Sequence, residues 1–201
     1  MRAAVLFSGG ADSSLAALAL ERFCDVTCLT GTFGVTGDHR HAAAAAEALG
    51  FDHRTVDLDR AVLEDAVATM AADGYPRNGV QAVHEHALES VAAGDWDLVA
   101  DGTRRDDRAP TVDRATAQSL EDRHGVDYVA PLAGFGHGAV ERLAAEHLTV
   151  ERGPSEALDR GDYEAEIRAL LAEAEGPGVV EAVFPDHEQS RVTGLAADHQ
   201  P

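Results

Sequence analysis

The stretch "LFSGGADSSLAAL", residues 6–18, decides how the chain is read. An apolar run, Ala3 to Phe7, ends at Ser8. Gly9, Gly10, Ala11, Asp12, Ser13 and Ser14 follow, and an alanine–leucine pattern begins at once. A continuous apolar run of that length predicts a strand buried on both faces. Leu15, Leu18, Ala19 and Arg22 have helical spacing, with Asp12 or Ser13 as the expected N-cap. A strand therefore passes into a helix through a small, polar turn. The first amides of a helix are unpaired and carry partial positive charge. Gly9 and Gly10 remove the side chains that would hold an anion off the backbone. Ser8, Ser13 and Ser14 add hydroxyl donors. The stretch predicts a cradle for phosphate.

Outward from this turn, strand and helix alternate. Strands are predicted at Asp25–Leu29, His53–Val56, Asp97–Ala100 and Asp127–Ala130. Helices are predicted over His39–Leu49, from a cap at Asp59 through Met70, around Val80–Val91, over Ala115–Arg123 and over His137–His147. Gly31 to Gly37 is expected as a glycine-rich loop, and Gly74 to Gly79 as a break. A charged helix is predicted over Asp162–Glu175, stopped by Gly176-Pro177-Gly178, and then a strand over Val179–Phe184. The alternation predicts a three-layer, doubly wound parallel α/β sheet. One domain spans 1–201, with 155–201 as a helix–strand extension. Ligands in such sheets bind beyond the carboxyl ends of the strands, so the loops after the first, second and fourth strands are the place to look.

Composition narrows the function. Apolar residues make up 45%, so the chain is globular rather than disordered. It carries 36 acidic residues against 16 basic ones, every one of which is Arg, for a net charge of -20. Acid spread along the whole chain fits solvation in a salt-rich cytoplasm, and Arg in place of Lys also fits a GC-rich genome. It weakens the expectation of non-specific nucleic-acid binding, which needs a basic face, and leaves room for a local Arg patch. The missing lysine excludes Schiff-base chemistry and the Walker P-loop. Met1-Arg2-Ala3 leads straight into a strand pattern, and no apolar run reaches membrane-spanning length, so a cytoplasmic location without a membrane partner is expected. Cys24 and Cys28 are expected to share one strand face as small core residues.

The turn is neither the Walker motif nor the dinucleotide fingerprint. Asp12 in an anion site makes sense where Mg²⁺ lies between carboxylate and phosphate, and helix capping is its other role. Ser8-Gly9-Gly10-Ala11-Asp12-Ser13 resembles the SGGxDS signature of the PP-loop (N-type) ATP pyrophosphatases, an adenine nucleotide alpha hydrolase-like (HUP-like) superfamily. The chain looks like its small archaeal members over most of its length. The resemblance implies that Ser8, Gly9, Gly10, Ser13 and Ser14 hold the pyrophosphate end of ATP. A substrate oxygen then attacks the α-phosphorus, pyrophosphate leaves, and a nitrogen or sulfur nucleophile displaces AMP. Such a reaction rests on positioning and charge neutralisation, which a site without lysine can supply.

Asp101-Gly102-Thr103-Arg104-Arg105-Asp106-Asp107-Arg108 resembles the GTxxDD segment after the fourth strand of several of these enzymes. Thr103, beside Gly102, is a candidate phosphate donor. Asp106 or Asp107, with Asp12, is the candidate Mg²⁺ ligand, and Arg104, Arg105 and Arg108 suit the leaving pyrophosphate or an anionic substrate. The resemblance places Thr32 and Phe33 against adenine and ribose. Catalysis is thus expected from Asp12, Arg104, Asp106 and Asp107.

Arg77-Asn78 is expected to line the substrate side. His84 and His86 point about 200° apart on a helix, cannot share a metal, and are expected at the surface. The polar Asp186-to-Val192 segment is expected either as a solvated tail or folded over the site. The acceptor is expected to be a small molecule or tRNA. Cys24 and Cys28 lack C-x-x-C spacing, so a sulfur-carrier protein or an ammonia source is the expected donor, and a homodimer the candidate assembly. The zinc-binding cysteines of the 7-cyano-7-deazaguanine synthases are absent. The competing readings are a non-catalytic ATP-binding regulator, like the universal stress proteins, and a subunit of a tRNA-modifying complex.

Overall fold

A computed structural model of the chain describes residues 1–155, 158, 161–185 and 188–197. Five strands, β1 (Arg2–Leu6), β2 (Asp25–Thr32), β3 (Asp52–Asp57), β4 (Leu98–Ala100) and β5 (Asp127–Val129), form a parallel sheet in the order β3-β2-β1-β4-β5. Helices α1 (Ala11–Leu20), α2 (His39–Leu49), α3 (Arg60–Asp73), α4 (Arg77–Ala92), α5 (Arg114–His124) and α6 (His137–His147) connect and flank these strands. The carboxyl-terminal part adds β6 (Leu148–Pro154), α7 (Tyr163–Glu175), α8 (Pro177–Val183) and β7 (Glu188–Leu195), with β6 and β7 paired antiparallel.

Two hydrophobic cores follow from the period-two alternation of the central strand. Ala4 and Leu6 of β1 join Leu63, Met70, Leu88, Ile167 and Leu171 on one face. Ala3 and Val5, with Phe7 just beyond, join Leu15, Cys28, Ala46, Val140 and Ala144 on the other. Helices α3, α4, α5 and α7 thus cover one face, and α1, α2 and α6 the other, giving three layers. The run of alanine in α2 is packing, since Ala42, Ala45 and Ala46 are buried. Asp59 caps α3 as its position predicts, accepting from Ala61 N at 3.0 Å. Among the described residues, no helix is long and apolar enough to cross a membrane.

Three expectations change. Val179–Phe184 is not a strand: Pro177 at the first turn opens α8, which turns Val183 and Phe184 into the core beside α7. The extension is therefore two helices and a strand, and β7's partner, β6, precedes it. Cys24 lies before β2, its amide donating to Leu20 O at 2.9 Å, so the two cysteines do not share a strand although both contact one core. Burial pushes the Cys28 thiol up to about 12, which leaves it a neutral core group. Third, α1 is capped by Gly10 without a side-chain bond, not by Asp12 or Ser13.

Candidate functional site

The strand order reverses between β1 and β4, so their carboxyl ends diverge into a crevice. A cavity of about 760 Å³ opens there, lined by Leu6 to Ser8, Asp12, Ser13, Thr30, Gly31 and Asp101 to Arg104. Gly9 has φ +78°, and a Cβ on it would meet Ala42 Cα at 3.0 Å and Ala45 Cβ at 3.2 Å. Only glycine fits that turn against α2. Hydroxyls tie the turn together: Ser8 N donates to Ser13 Oγ at 3.2 Å, and Gly10 N to Ser8 Oγ at 3.3 Å. The antiparallel pair of β6 and β7 joins in. Ala11 N, the first amide of α1, donates to Ser190 Oγ at 3.0 Å, and Val192 N to Gly9 O at 2.9 Å. The Gln189 and Ser190 end of the polar segment therefore does fold over the site. Asp186 and His187 lie outside the described residues.

The two motifs meet through glycine. A Cβ on Gly102 would lie 2.8 Å from Ser13 N and 2.9 Å from Asp12 C, so the loop after β4 rests directly on the first turn of α1. Arg104 joins the sides. Its Nε and Nη2 donate to Asp107 Oδ1 at 3.0 and 2.7 Å, its Nη1 donates to His137 Nδ1 at 2.9 Å, and Nη1 lies 3.4 Å from Asp12 Oδ2. Burial pushes the Asp12 carboxyl up; Arg104 pulls it down, and Asp107 and Glu141 push it further up.

Ser8, Asp12, Ser13, Gly102, Thr103, Arg104 and Asp107 come together around the cavity. Gly9, Gly10, Ser14, Thr32, Phe33 and Asp106 are not among its lining. Ser14 is fully buried, and its hydroxyl has no hydrogen-bond partner among the described residues. Asp106 faces α6, accepting from His137 N at 2.9 and 3.1 Å, where an anion complements the helix N-terminus. Thr103 donates both its amide and its hydroxyl to Asp101 Oδ1, at 2.9 and 2.7 Å. The amides after β2 face a buried carboxylate. Glu166 of α7 accepts from Thr32 Oγ1, Phe33 N and Val35 N at 3.0, 2.8 and 2.9 Å. Glutamine there would turn an NH₂ toward these donors. Glu166→Gln is expected to cost about 2 kcal/mol in a denaturant titration, the scale of lost charged hydrogen bonds. Unchanged stability would show that this tie contributes nothing.

The sequence reading also missed a network beneath the cavity. His84 is buried, not at the surface, because it continues the apolar stripe of α4. Its Nε2 donates to Asp101 Oδ2 at 2.8 Å, and its Nδ1 is bonded to Tyr163 Oη at 2.8 Å. Tyr128 Oη also donates to Asp101 Oδ2, at 3.0 Å. Burial pushes both tyrosines' hydroxyls well up, so they remain protonated donors. His84 lies one turn from both Val80 and Leu88, a spacing that signals burial; Glu166, four residues before Leu170, carries the same signal. Ser190 gives no such signal.

Residues 1–194 match a family described as a family of unknown function, DUF7411. The chain belongs to that family. The DUF7411 chain is 42% identical over 193 residues to MJ0690 of Methanocaldococcus jannaschii, described as an uncharacterized protein, covering 95% of this chain and 94% of that one. A crystal structure from the same organism superposes on the DUF7411 fold with a TM-score of 0.88 at 40% identity, covering 98% of both chains. Its description reads "predicted subunit of tRNA methyltransferase".

Proposed function

We infer that the chain binds ATP in the β1–β4 cavity and serves a tRNA-modifying complex as its PP-loop subunit. The observation that carries the nucleotide reading is the backbone contact at Gly102, which joins the SGGADS turn to the GTRRDD loop at the topological switch point. Ser8 and Ser13 line the cavity from one loop and Arg104 from the other, and this reading gives the two serines to the phosphates. The tRNA reading is supported by the 40%-identical archaeal protein and its description.

In this reading an oxygen of the acceptor attacks the α-phosphorus of ATP. Pyrophosphate leaves, and a nitrogen or sulfur nucleophile then releases AMP. Arg104, tied to Asp107 and His137, is held where charge builds on the leaving group. Among the described residues no group of three or more His, Cys, Asp or Glu is placed to hold a metal. Mg²⁺ does not need such a cage, because it keeps phosphate oxygens and water around one or two carboxylates. Asp12, 3.4 Å from Arg104, is the residue that would hold it, and Asp107 the second. Bound there, Mg²⁺ would neutralise charge on the phosphates.

Purified protein with ATP, Mg²⁺, unmodified archaeal tRNA and a nucleophile, ammonium or sulfide in separate reactions, in concentrated KCl is expected to yield pyrophosphate and AMP in equal amounts with the matching nucleophile. Asp12→Ala is expected to lower that rate by about a hundredfold or more. ADP and phosphate as products, or full activity of the variant, overturns the adenylation reading. ATP binding without turnover on any tRNA fraction would instead make this the non-catalytic ATP-binding subunit.

A further inference from the structure

Among the described residues, two arginines at the cavity rim have no carboxylate to hold them. Arg77 opens α4 and Arg108 lies in the loop after β4; both line the cavity and both are exposed. Neither makes a hydrogen bond or ion pair among the described residues. The other cations of the cavity are engaged, Arg104 with Asp107 and Arg152 with Glu141. Its carboxylates are largely engaged too: Asp101 in the buried network, Glu164 with Arg168. In a chain with 36 acidic residues against 16 basic ones, internal partners for two arginines are plentiful. That both stay unpaired on one cavity points to an anion from outside.

The fold fixes them on the same rim. Gln81 sits one turn after Arg77 on α4 and exchanges two bonds with Thr111, three residues after Arg108. Gln81 Nε2 donates to Thr111 O at 2.7 Å, and Thr111 N to Gln81 Oε1 at 2.9 Å. Tyr75 stands beside them in the lining, 47% exposed, with no partner for its hydroxyl among the described residues. An exposed aromatic face next to two free guanidinium groups is the surface that takes a splayed nucleotide: the base stacks and the phosphates pair with arginine. Carboxylates of an acidic peptide would use the arginines and leave the aromatic face without a role.

We propose that this rim is a single-stranded RNA subsite in which Tyr75 stacks a base and Arg77 and Arg108 hold the flanking phosphodiesters. It rests on the reading of the cavity as the place where a tRNA acceptor meets ATP. The net charge of -20 repels a polyanion at long range. At about 1 M salt the screening length is only ~3 Å, so that repulsion fades while direct contacts persist.

The test is fluorescence anisotropy of a labelled single-stranded RNA of mixed sequence, and of its duplex, on the intact protein over a KCl series. The single strand is expected to bind more tightly than the duplex. Arg77→Ala/Arg108→Ala is expected to weaken it by about tenfold or more and to flatten the slope of log affinity against log salt by roughly 1.4, or about 0.7 per lost phosphate contact. Tyr75→Ala is expected to weaken binding by about tenfold without changing that slope. Arg2→Ala/Arg22→Ala removes the same charge away from the cavity and is expected to leave affinity and slope alone. Thermal melts confirm that each variant is folded. An unchanged slope in the cavity double variant, equal affinity for the duplex, or binding of polyglutamate with the same arginine dependence overturns the subsite. ATP binding by the unsubstituted protein is measured separately. Its failure would remove the nucleotide reading, while the RNA titration alone decides the rim.

Discussion

Replacing Gly102 by alanine is expected to weaken ATP binding by about a hundredfold and to destabilise the protein by about 1–3 kcal/mol. The added Cβ would stand 2.8 Å from Ser13 N and 2.9 Å from Asp12 C. Both are backbone atoms of the first turn of α1, so no flexible side chain can swing away. One of the two loops must move, and both line the cavity. Gly178→Ala in α8 is the control, because a Cβ there meets nothing within 4 Å. Alanine favours a helix over glycine, so that variant is expected to be neutral or slightly more stable. Calorimetric titration with ATP and a denaturant melt separate the two effects. Full affinity in Gly102→Ala would show that the loops do not depend on their contact for nucleotide binding.

That contact also shows how far sequence carries. Each motif was visible alone, since glycines between an apolar strand and a helix cap have few other uses. Their touching depends on strand order, with β4 crossing to the far side of β1. The five parallel strands were legible because each is a short apolar or alternating run closed by a turn, and Gly50, at φ +81°, ends α2 where its position predicts. The β6–β7 pair was not legible. Its sequences carry Glu151, Arg152, Ser190 and Arg191, and few of its residues are buried, Leu148 and Val192 among them. What holds it is tertiary: the bonds from Val192 N to Gly9 O and from Ala11 N to Ser190 Oγ. The Val179–Phe184 run misled for the opposite reason. Its β-branched residues suit a strand, but among the described residues no strand pairs with it, and Val183 and Phe184 share a core with Ile167, Leu170 and Leu171 of α7. At the site, Asp106 and Asp107 are indistinguishable in sequence. The start of α6 takes one, and Arg104 takes the other.

Asp101→Asn is expected to cost about 3 kcal/mol, or roughly 6–12 °C of melting temperature for a chain of this size. Asp101 is only 1% exposed and accepts four bonds, two from Thr103 and one each from His84 and Tyr128. Asparagine keeps one oxygen for Thr103 and turns an NH₂ toward His84 Nε2–H and the Tyr128 hydroxyl. Donor then faces donor inside the protein, which costs more than the loss of a surface bond. Acid should reveal the same residue in the unsubstituted chain. Burial alone would push the Asp101 carboxyl up, but the hydrogen bond and charge of His84, together with Thr103, outweigh it and hold the group below its ordinary 3.8. Above 3.8 both folded and unfolded chains carry the carboxylate, and its stabilisation is complete. As pH falls below that value the unfolded chain takes up a proton first, and the stabilisation is lost as pH approaches the lower folded value. Asparagine does not titrate. The gap in melting temperature between the two proteins is therefore expected to be constant near neutrality and to narrow below about pH 4. Parallel curves throughout would show that Asp101 titrates alike in both states. A narrowing gap with weakened ATP binding at neutral pH would show that this buried carboxylate also holds Thr103, and with it the loop of Arg104, in place.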